Sequence, residues 1–132
     1  MLTKRFYPIV LLSLPAVAHA GAVETLLDKY RQQGVVEFSA IKGQTLWGFA
    51  NQQVGDRGQR SCSDCHGTDL SQTGKHAKTG KRIEPMAPSV NSERLTDMAK
   101  IEKWFKRNCK WTLGRACSSQ EKGDFLVFLR QQ

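Results

Sequence analysis

The chain has 132 residues, of which 39% are hydrophobic and 24% are charged, and this length fits one small domain rather than several. A domain of this size can only marginally build a stable hydrophobic core from its own side chains. Its formal net charge of +8 favours acidic surfaces as partners.

Residues 1–20 have the features of a secretory signal peptide. Lys4 and Arg5 provide the positively charged start, an apolar run follows at 9–17, and Ala-His-Ala at 18–20 is a cleavage site of the A-x-A type. The apolar run is too short to cross a bilayer. We therefore expect an exported, periplasmic protein that is not an integral membrane protein, with a retained N-terminal anchor as the alternative.

Cleavage after Ala20 would leave residues 21–132 as one mature domain. Loss of Lys4 and Arg5 with the signal peptide would lower the net charge from +8 to +6. An exported protein rarely meets nucleic acid, so we expect no nucleic-acid partner and instead an acidic protein surface.

The mature chain is predicted to begin with an amphipathic helix. Val23, Leu26, Leu27 and Tyr30 recur at helical spacing, which places their side chains on one face. Gly34 follows shortly afterwards and is expected to end the helix.

A second helix is predicted over about 39–51, followed by a polar loop at 53–61. Its apolar positions are Phe38, Ile41, Thr45, Leu46 and Phe49. Gly43 inside this helix costs about 1 kcal/mol relative to alanine. A glycine at such a position indicates either the close approach of another helix or simple tolerance, and the sequence leaves both open.

The pentapeptide Cys62-Ser63-Asp64-Cys65-His66 is the central motif of the chain. It has the C-x-x-C-H pattern of covalent c-type haem attachment. The two thiols can reach the two vinyl groups on one edge of a porphyrin, and the imidazole of the adjacent His66 can bind the iron. We therefore predict one covalent haem c, attached to Cys62 and Cys65 and ligated by His66.

A bare C-x-x-C also occurs in zinc sites and in redox dithiols. A zinc site would need a second pair of ligands at metal spacing, but the mature chain offers only His76, with Cys109 and Cys117 eight residues apart. A thioredoxin-like dithiol would need a βαβ surround, which the sequence does not show. Haem attachment is therefore the better interpretation.

The segment 67–92 has little hydrophobic periodicity and contains several glycines and prolines, so it is predicted to be irregular. It is long for a structureless loop, and wrapping around a bound cofactor would order it. Four of its basic residues form what we call the basic loop cluster: Lys75, Lys78, Lys81 and Arg82. The cluster is either an ordinary solvated loop or a docking surface for an acidic redox partner.

Two further helices complete the predicted all-α fold. The third runs from about Thr96 to Cys109, and the residues on its apolar face are Met98, Ile101, Trp104, Phe105 and Asn108. The fourth begins at a capping box formed by Ser118 and Glu121. Its apolar stripe consists of Phe125, Leu126, Phe128 and Leu129. No strand pattern competes with these helices.

Cys109 and Cys117 remain once the haem motif has taken the other two cysteines. Because the chain is bound for an oxidising compartment, we expect a disulfide between them, with two free buried thiols as the alternative.

The ligand opposite His66 decides between classes of function. Met86 lies between two prolines in an irregular segment, and a methionine thioether opposite histidine is common in small electron-transfer cytochromes. Met98 begins the apolar stripe of the third helix, which favours a core position. His76 lies in a Gly- and Lys-rich segment, which favours a solvent-exposed role.

Asn108 is a further candidate for that position. It is predicted on the buried face of the third helix, one turn beyond Trp104 and Phe105, where an unpaired amide costs about 1–3 kcal/mol. The residue could be a C-terminal helix cap or an iron ligand, and periodicity alone favours the cap.

A larger set of motifs resembles the sphaeroides haem protein family, whose members are small oxygen-binding c-type cytochromes. The resemblance extends from about residue 43 to the C terminus, and its most specific part is Arg-Asn-Cys at 107–109 followed by Gly-Arg-x-Cys at 114–117. The other matching positions are 62–66, 79–81, 85, 87–89, 94–97, 102–104 and 121–122.

The resemblance implies a role for each matching site residue. It assigns haem attachment to Cys62 and Cys65, the proximal iron ligand to His66 and the distal ligand to Asn108. It also assigns the disulfide to the remaining pair, Cys109 and Cys117. The implied fold is that of a class I cytochrome c, with four to five helices wrapped around one haem.

The resemblance also implies a function. An amide is a hard, weak ligand that suits ferric iron better than soft ferrous iron. We therefore predict that Asn108 holds ferric iron and leaves on reduction, which opens the iron to O2 or NO. The redox partners that the family implies are a dihaem cytochrome c and a membrane cytochrome b.

Two other functions stay open. The family does not rely on a methionine at position 86, so the presence of Met86 leaves a plain electron-transfer cytochrome with His66/Met86 ligation possible. An enzyme that oxidises nitric oxide or reduces peroxide would need a polar catalytic constellation. Arg107, Arg115 and Trp104 are weak candidates for one, because surface or core roles suit them better.

Overall fold

The structure, a computed structural model, describes residues 21–49 and 60–132. The predicted signal peptide at 1–20 and nearly all of the predicted loop at 53–61 lie outside the described residues. The second helix ends at Gly48, earlier than the predicted end near residue 51, because the backbone of Phe49 is extended.

Five helices and one short ribbon make up the regular structure of the described residues. Their bounds are α1 Ala22–Gln32, α2 Ala40–Gly48, α3 Ser63–His66, β1 Gly74–Lys75, β2 Arg82–Ile83, α4 Met98–Thr112 and α5 Ser119–Leu129. The prediction of an all-α fold with four to five helices is confirmed.

The ribbon corrects the prediction that 67–92 is wholly irregular. β1 and β2 pair antiparallel, with Gly74 opposite Ile83 and Lys75 opposite Arg82. Strands of two residues are too short for an alternating pattern to reveal them in the sequence.

The helix ends follow from local capping. The Ser39 side chain accepts a hydrogen bond from the backbone of Lys42 at 3.3 Å and so begins α2. The Asp97 side chain accepts one from the backbone of Lys100 at 3.0 Å and begins α4, two residues later than predicted. The capping box of Ser118 and Glu121 is present at the start of α5, as predicted.

α5 is the central helix of the fold, and every residue from 123 to 129 is buried. On one side it joins a core cluster with Trp47 of α2 and with Leu70, Ala87, Cys109 and Leu113. On its other side it joins a second cluster that includes Leu26, Leu27 and Tyr30 of α1 and Ile101 of α4. Because both clusters share α5, that helix is covered on more than one face.

Gly43 is where α2 crosses α5. A Cβ atom added there would stand 2.1 Å from the backbone oxygen of Asp124, so the two helices meet at the closest distance that a glycine allows. The close-approach interpretation of Gly43 is thus confirmed. The buried Asp124 carboxylate accepts hydrogen bonds from the Ser39 backbone at 2.7 Å and from Gln120 at 2.9 Å, which ties the start of α2 to α5.

α1 is fastened to the other helices through Glu102 of α4. The Glu102 carboxylate accepts hydrogen bonds from the Tyr30 hydroxyl at 2.9 Å, from Lys122 of α5 at 2.6 Å and from Lys29 at 3.3 Å. Burial alone would raise the pKa of Glu102, but the hydrogen bonds from Lys122 and Tyr30 outweigh it and hold the pKa below its usual range. Burial and the neighbouring carboxylate together raise the pKa of Tyr30.

The predicted core position of Met98 is wrong, and Trp104, for which a surface or a core role was left open, lies partly at the surface. Met98 is 43% exposed and Trp104 is 42% exposed. Met98 is the first residue of the helix, where packing is incomplete. Trp104 lies at the edge of the apolar stripe with the Arg107 guanidinium 5.5 Å from its ring centroid.

Among the described helices, none combines the length and apolar character needed to cross a membrane.

Candidate haem site

The C-x-x-C-H motif forms a single helical turn, α3. The backbone N–H groups of Cys65 and His66 donate to the Cys62 carbonyl at 3.3 and 3.1 Å. Gly67 ends the turn with a φ of 74°. Cys62 and Cys65 are three residues apart and His66 one residue further on, so one turn brings two thiols and an imidazole to the same region of the surface.

The turn is held in shape by the polar side chains of Ser61, Ser63 and Asp64. The Asp64 carboxylate accepts a hydrogen bond from the Ser61 backbone at 2.7 Å, and the Ser61 and Ser63 hydroxyls lie 2.7 Å apart. The motif's two intervening residues, Ser63 and Asp64, are therefore occupied in fixing the turn, which leaves the cysteines and His66 free for the haem.

His66 has a largely buried, neutral imidazole. Its Nδ1 atom is buried and makes no hydrogen bond with any described residue. Burial and the neighbouring Arg94 lower the pKa of His66 to about 4, so the imidazole is neutral at pH 7 and keeps a lone pair available. An unpaired ring nitrogen is costly in a buried place, and a neutral imidazole at the fifth position of the motif fits the role of a haem ligand.

Trp47 is a site residue that the sequence did not reveal. Its Nε1 donates to the Gly67 carbonyl at 2.9 Å, and its ring centroid lies 5.4 Å from that of His66. Trp47 follows Gly43 by one helical turn and so lies on the same face of α2. That spacing was the available signal, but it named neither α5 nor His66 as the partner of this face.

Neither cysteine of the motif is in a disulfide, so both sulfurs are available for haem attachment. Burial raises the pKa of Cys62 to about 11, although a hydrogen bond with Thr112 opposes the rise. The Cys65 sulfur accepts a hydrogen bond from the backbone of Ala77 at 3.3 Å. Within the described residues, no group of three or more His, Cys, Asp and Glu side chains could hold a metal ion, so the zinc alternative finds no site there.

Asn108 lies inside α4 and is not a helix cap. The helix continues to Thr112, whereas the sequence predicted an end near Cys109. The Asn108 side chain is half-buried, and its amide makes no hydrogen bond with a described residue. The cap interpretation is therefore wrong, because the terminal carbonyl groups of α4 belong to later residues.

Thr112 links Asn108 to the haem motif. The Thr112 hydroxyl donates to the Asn108 carbonyl at 3.0 Å, and the same side chain is a hydrogen-bond partner of Cys62. Thr112, in the last turn of α4, thus lies beside the first haem-attachment cysteine, and Asn108 lies one turn earlier in the same helix.

Met86 is half-buried and packs against the core cluster that contains Leu70. Its backbone N–H and that of Ala87 donate to the Leu70 carbonyl at 3.0 and 2.9 Å. Arg94 fixes the preceding residues by donating to the Pro85 carbonyl at 2.8 Å. The segment with Met86 is therefore held in place by the chain that follows His66.

His76 is not the solvent-exposed residue that was expected. Its ring is half-buried and lies 5.0 Å from the ring of Trp111. Its Nδ1 accepts hydrogen bonds from the backbones of Lys78 and Thr79 at 3.3 and 3.1 Å. The residue organises its own loop, and this role left no periodic signal in the sequence.

Cys109 and Cys117 are joined in the structure by a disulfide bond, with their Cα atoms 5.5 Å apart. Ser118 follows Cys117, so this pair is not a second haem-attachment motif. Between the two cysteines, the Arg115 guanidinium donates to both carboxylate oxygens of Glu121 at 2.7 and 2.8 Å. The bond connects the last turn of α4 to the start of α5.

A single C-x-x-C-H turn packed beside crossed helices α2 and α5 defines a class I-like c-type cytochrome with one covalent haem c. Two solved structures share this fold. The structure of oxidised SHP, an oxygen-binding cytochrome c, has a TM-score of 0.76 and 35% identity, and the match covers 86% of this chain and 100% of that chain. Oxidised cytochrome c'' from Methylophilus methylotrophus has a TM-score of 0.71 and 30% identity over 84% and 94%.

Sequence comparison gives the family. The cytochrome c-type protein SHP of Cereibacter sphaeroides is 37% identical over 118 residues, which cover 89% of this chain and 90% of the relative. Cytochrome c'' of Methylophilus methylotrophus is 32% identical over 125 residues, 91% and 87% of the two chains. Residues 33–129 match the family model described as a domain of unknown function, DUF1924. The chain therefore belongs to the SHP family of c-type cytochromes, as the resemblance indicated.

Proposed function

We propose that this protein is an exported, periplasmic monohaem cytochrome that accepts electrons and then binds O2 or NO. His66 is the permanent axial ligand in this proposal, and Asn108 is the ligand that leaves on reduction. The observation that carries it is the half-buried Asn108 side chain inside α4, whose amide has no hydrogen-bond partner among the described residues.

Ligand chemistry supports the assignment to Asn108. When bound, the haem would supply a reducible iron, which His66 and Asn108 would hold. The neutral imidazole of His66 suits both oxidation states of iron. The amide of Asn108 is hard and weakly basic, so it would bind ferric iron better than ferrous iron.

Two relatives support a gas-binding role over a purely electron-carrying one. SHP has been described as an oxygen-binding cytochrome c. The solution structure of cytochrome c'', 30% identical with a TM-score of 0.70, was described in terms of haem-ligand detachment. We propose that both properties extend to this chain, with a dihaem cytochrome c and a membrane cytochrome b as its redox partners.

The test is the optical spectrum of the purified holoprotein, recorded anaerobically in both oxidation states with and without carbon monoxide. We expect six-coordinate ferric haem and five-coordinate ferrous haem that binds carbon monoxide at once. A ferrous protein that stays six-coordinate and ignores carbon monoxide would contradict the proposal.

The second candidate function is electron transfer with His66/Met86 ligation. It is supported by the half-buried position of Met86 and by the hydrogen bonds that hold its segment to Leu70. A thioether would bind ferrous iron firmly and close the site to gases. A sulfur-to-iron charge-transfer band at the red end of the ferric spectrum would favour this function.

Export and maturation are proposed from the sequence. Mass spectrometry of the periplasmic fraction tests them together. We expect a mature chain that begins at Gly21, carries one haem and contains one disulfide. A chain that keeps residues 1–20 would overturn the proposed cleavage.

A further inference from the structure

The basic loop cluster lies against the haem-attachment turn. The Ala77 backbone N–H donates to the Cys65 sulfur at 3.3 Å. Gly74 lies so close to the turn that an added Cβ atom would stand 2.2 Å from the Cys65 carbonyl oxygen. The chain between β1 and β2 is thereby held beside the second haem-attachment cysteine.

This loop has a fixed shape. The Lys81 carbonyl accepts a hydrogen bond from the His76 backbone N–H at 2.8 Å, and the His76 carbonyl accepts one from the Gly80 backbone N–H at 2.8 Å. The His76 ring packs on Trp111, whose ring also lies 4.9 Å from the Arg60 guanidinium. The lysines on the loop are therefore presented from a defined backbone and not from a freely moving one.

The cluster's lysines are exposed and unneutralised. Arg82 pairs with Glu84 at 3.1 Å. Lys75, Lys78 and Lys81 form no ion pair with any described residue. Asp64, the acidic residue of the neighbouring turn, already accepts a hydrogen bond from Ser61. Three cations thus remain available to a partner's carboxylates beside Cys65.

We propose that Lys75, Lys78 and Lys81 form the docking surface for an acidic redox protein, which delivers its electron at the Cys65 edge of the haem. This inference rests on the proposed function, since it names where the electron donor binds. Charge complementarity steers the encounter, and the position beside Cys65 shortens the path to the haem, on which electron-transfer rates depend steeply.

α4 offers a matched control. Lys100, Lys103 and Lys106 are also exposed and also form no ion pair with a described residue, but they lie on α4 and not on the loop that contacts Cys65. Reversing three charges on either surface changes the net charge of the protein equally. A difference between the two triple variants therefore reports location and not total charge.

The experiment compares wild-type holoprotein with K75E/K78E/K81E and K100E/K103E/K106E. The probe is an acidic flavodoxin. Its binding to the ferric proteins is titrated by calorimetry at low and high ionic strength, and the reduction rate by flavodoxin hydroquinone is followed by stopped flow. The loop variant should lose at least about tenfold more affinity and rate than the α4 variant at low ionic strength. High salt should remove most of the difference.

Equal losses in both variants would overturn the proposal, because total charge alone would then explain binding, and so would a larger loss in the α4 variant. Binding of the same proteins to phosphatidylglycerol vesicles is measured as well. If the loop variant lost binding to these vesicles but still bound flavodoxin as the wild type does, the proposal would be overturned in favour of a membrane surface. K75Q/K78Q/K81Q should show an intermediate loss and replaces the reversal variant if that one fails to fold. Since ferric binding is measured without gas, failure of carbon monoxide to bind the ferrous protein would contradict the proposed function and leave this result standing.

Discussion

Gly43 of α2 touches the backbone of Asp124 of α5, and a Cβ atom at residue 43 would stand 2.1 Å from the Asp124 carbonyl oxygen. The obstacle is backbone, which cannot rotate away as the end of a flexible side chain can. Trp47 follows one turn later on the same helix and packs against Phe125 and Phe128 of α5 with ring centroids 6.4 and 6.1 Å away. The distance between the helices at Gly43 therefore sets where the Trp47 ring meets His66.

Gly43→Ala should destabilise the holoprotein by about 1–3 kcal/mol, because α2 must move away from α5. Denaturant unfolding followed by circular dichroism measures the change. Gly48→Ala is the matched control, since an added Cβ there has open space around it and alanine favours the helix. Equal destabilisation by both substitutions would show that the close approach of α2 to α5 at Gly43 does not contribute to stability.

Glu102→Gln should destabilise the protein at pH 7 by about 1–2 kcal/mol, because Lys122 and Tyr30 lose a charged acceptor. The folded pKa of Glu102 is depressed, so its contribution is present above the unfolded pKa and is lost as pH falls through the folded value. The difference in stability between wild type and variant should therefore shrink below about pH 4.

Thermal unfolding between pH 7 and pH 3 checks this dependence. Glu93→Gln removes the same charge at an exposed position and should leave the stability at each pH nearly unchanged. A Glu102→Gln variant whose deficit grows as the pH falls would contradict the assigned role of the carboxylate.

Reduction of the Cys109–Cys117 disulfide should lower the free energy of unfolding by about 2–3 kcal/mol. The bond closes a short loop between α4 and α5, so the cost is at the lower end of the usual range. Denaturant unfolding with and without a phosphine reductant measures it, and the haem thioethers are not reduced by this reagent. The Cys109→Ala/Cys117→Ala variant should be insensitive to the reductant. If the reductant left the denaturant midpoint of the wild-type protein unchanged, the disulfide pairing would be contradicted.

Features fixed by local chemistry were predictable from the sequence. The C-x-x-C-H turn depends on five consecutive residues, and α5 begins at its predicted capping box. α1 follows from the spacing of Leu26, Leu27 and Tyr30, all of which are buried. Each of these signals lies within one or two helical turns, where sequence spacing and spatial distance correspond closely.

Features that depend on distant chain segments were not predictable. Trp47 reaches the Gly67 carbonyl across a separation of 20 residues, and nothing in the spacing of α2 indicates that partner. His76 owes its burial to Trp111, which lies in a different element. The end of α4 was placed too early because the Thr112 hydroxyl, which bonds the Asn108 carbonyl within the last turn, gives no periodic signal.

The ferric optical spectrum of Asn108→Val, recorded beside that of Met86→Leu, is the most direct measurement of which residue faces His66. Both substitutions remove a possible iron ligand and leave an apolar side chain. We expect Asn108→Val to convert six-coordinate ferric haem to the five-coordinate form, while Met86→Leu leaves the spectrum as in the wild type. An unaltered ferric spectrum in Asn108→Val, together with a disturbed one in Met86→Leu, would contradict the assignment of Asn108 as the ligand that yields to O2 or NO.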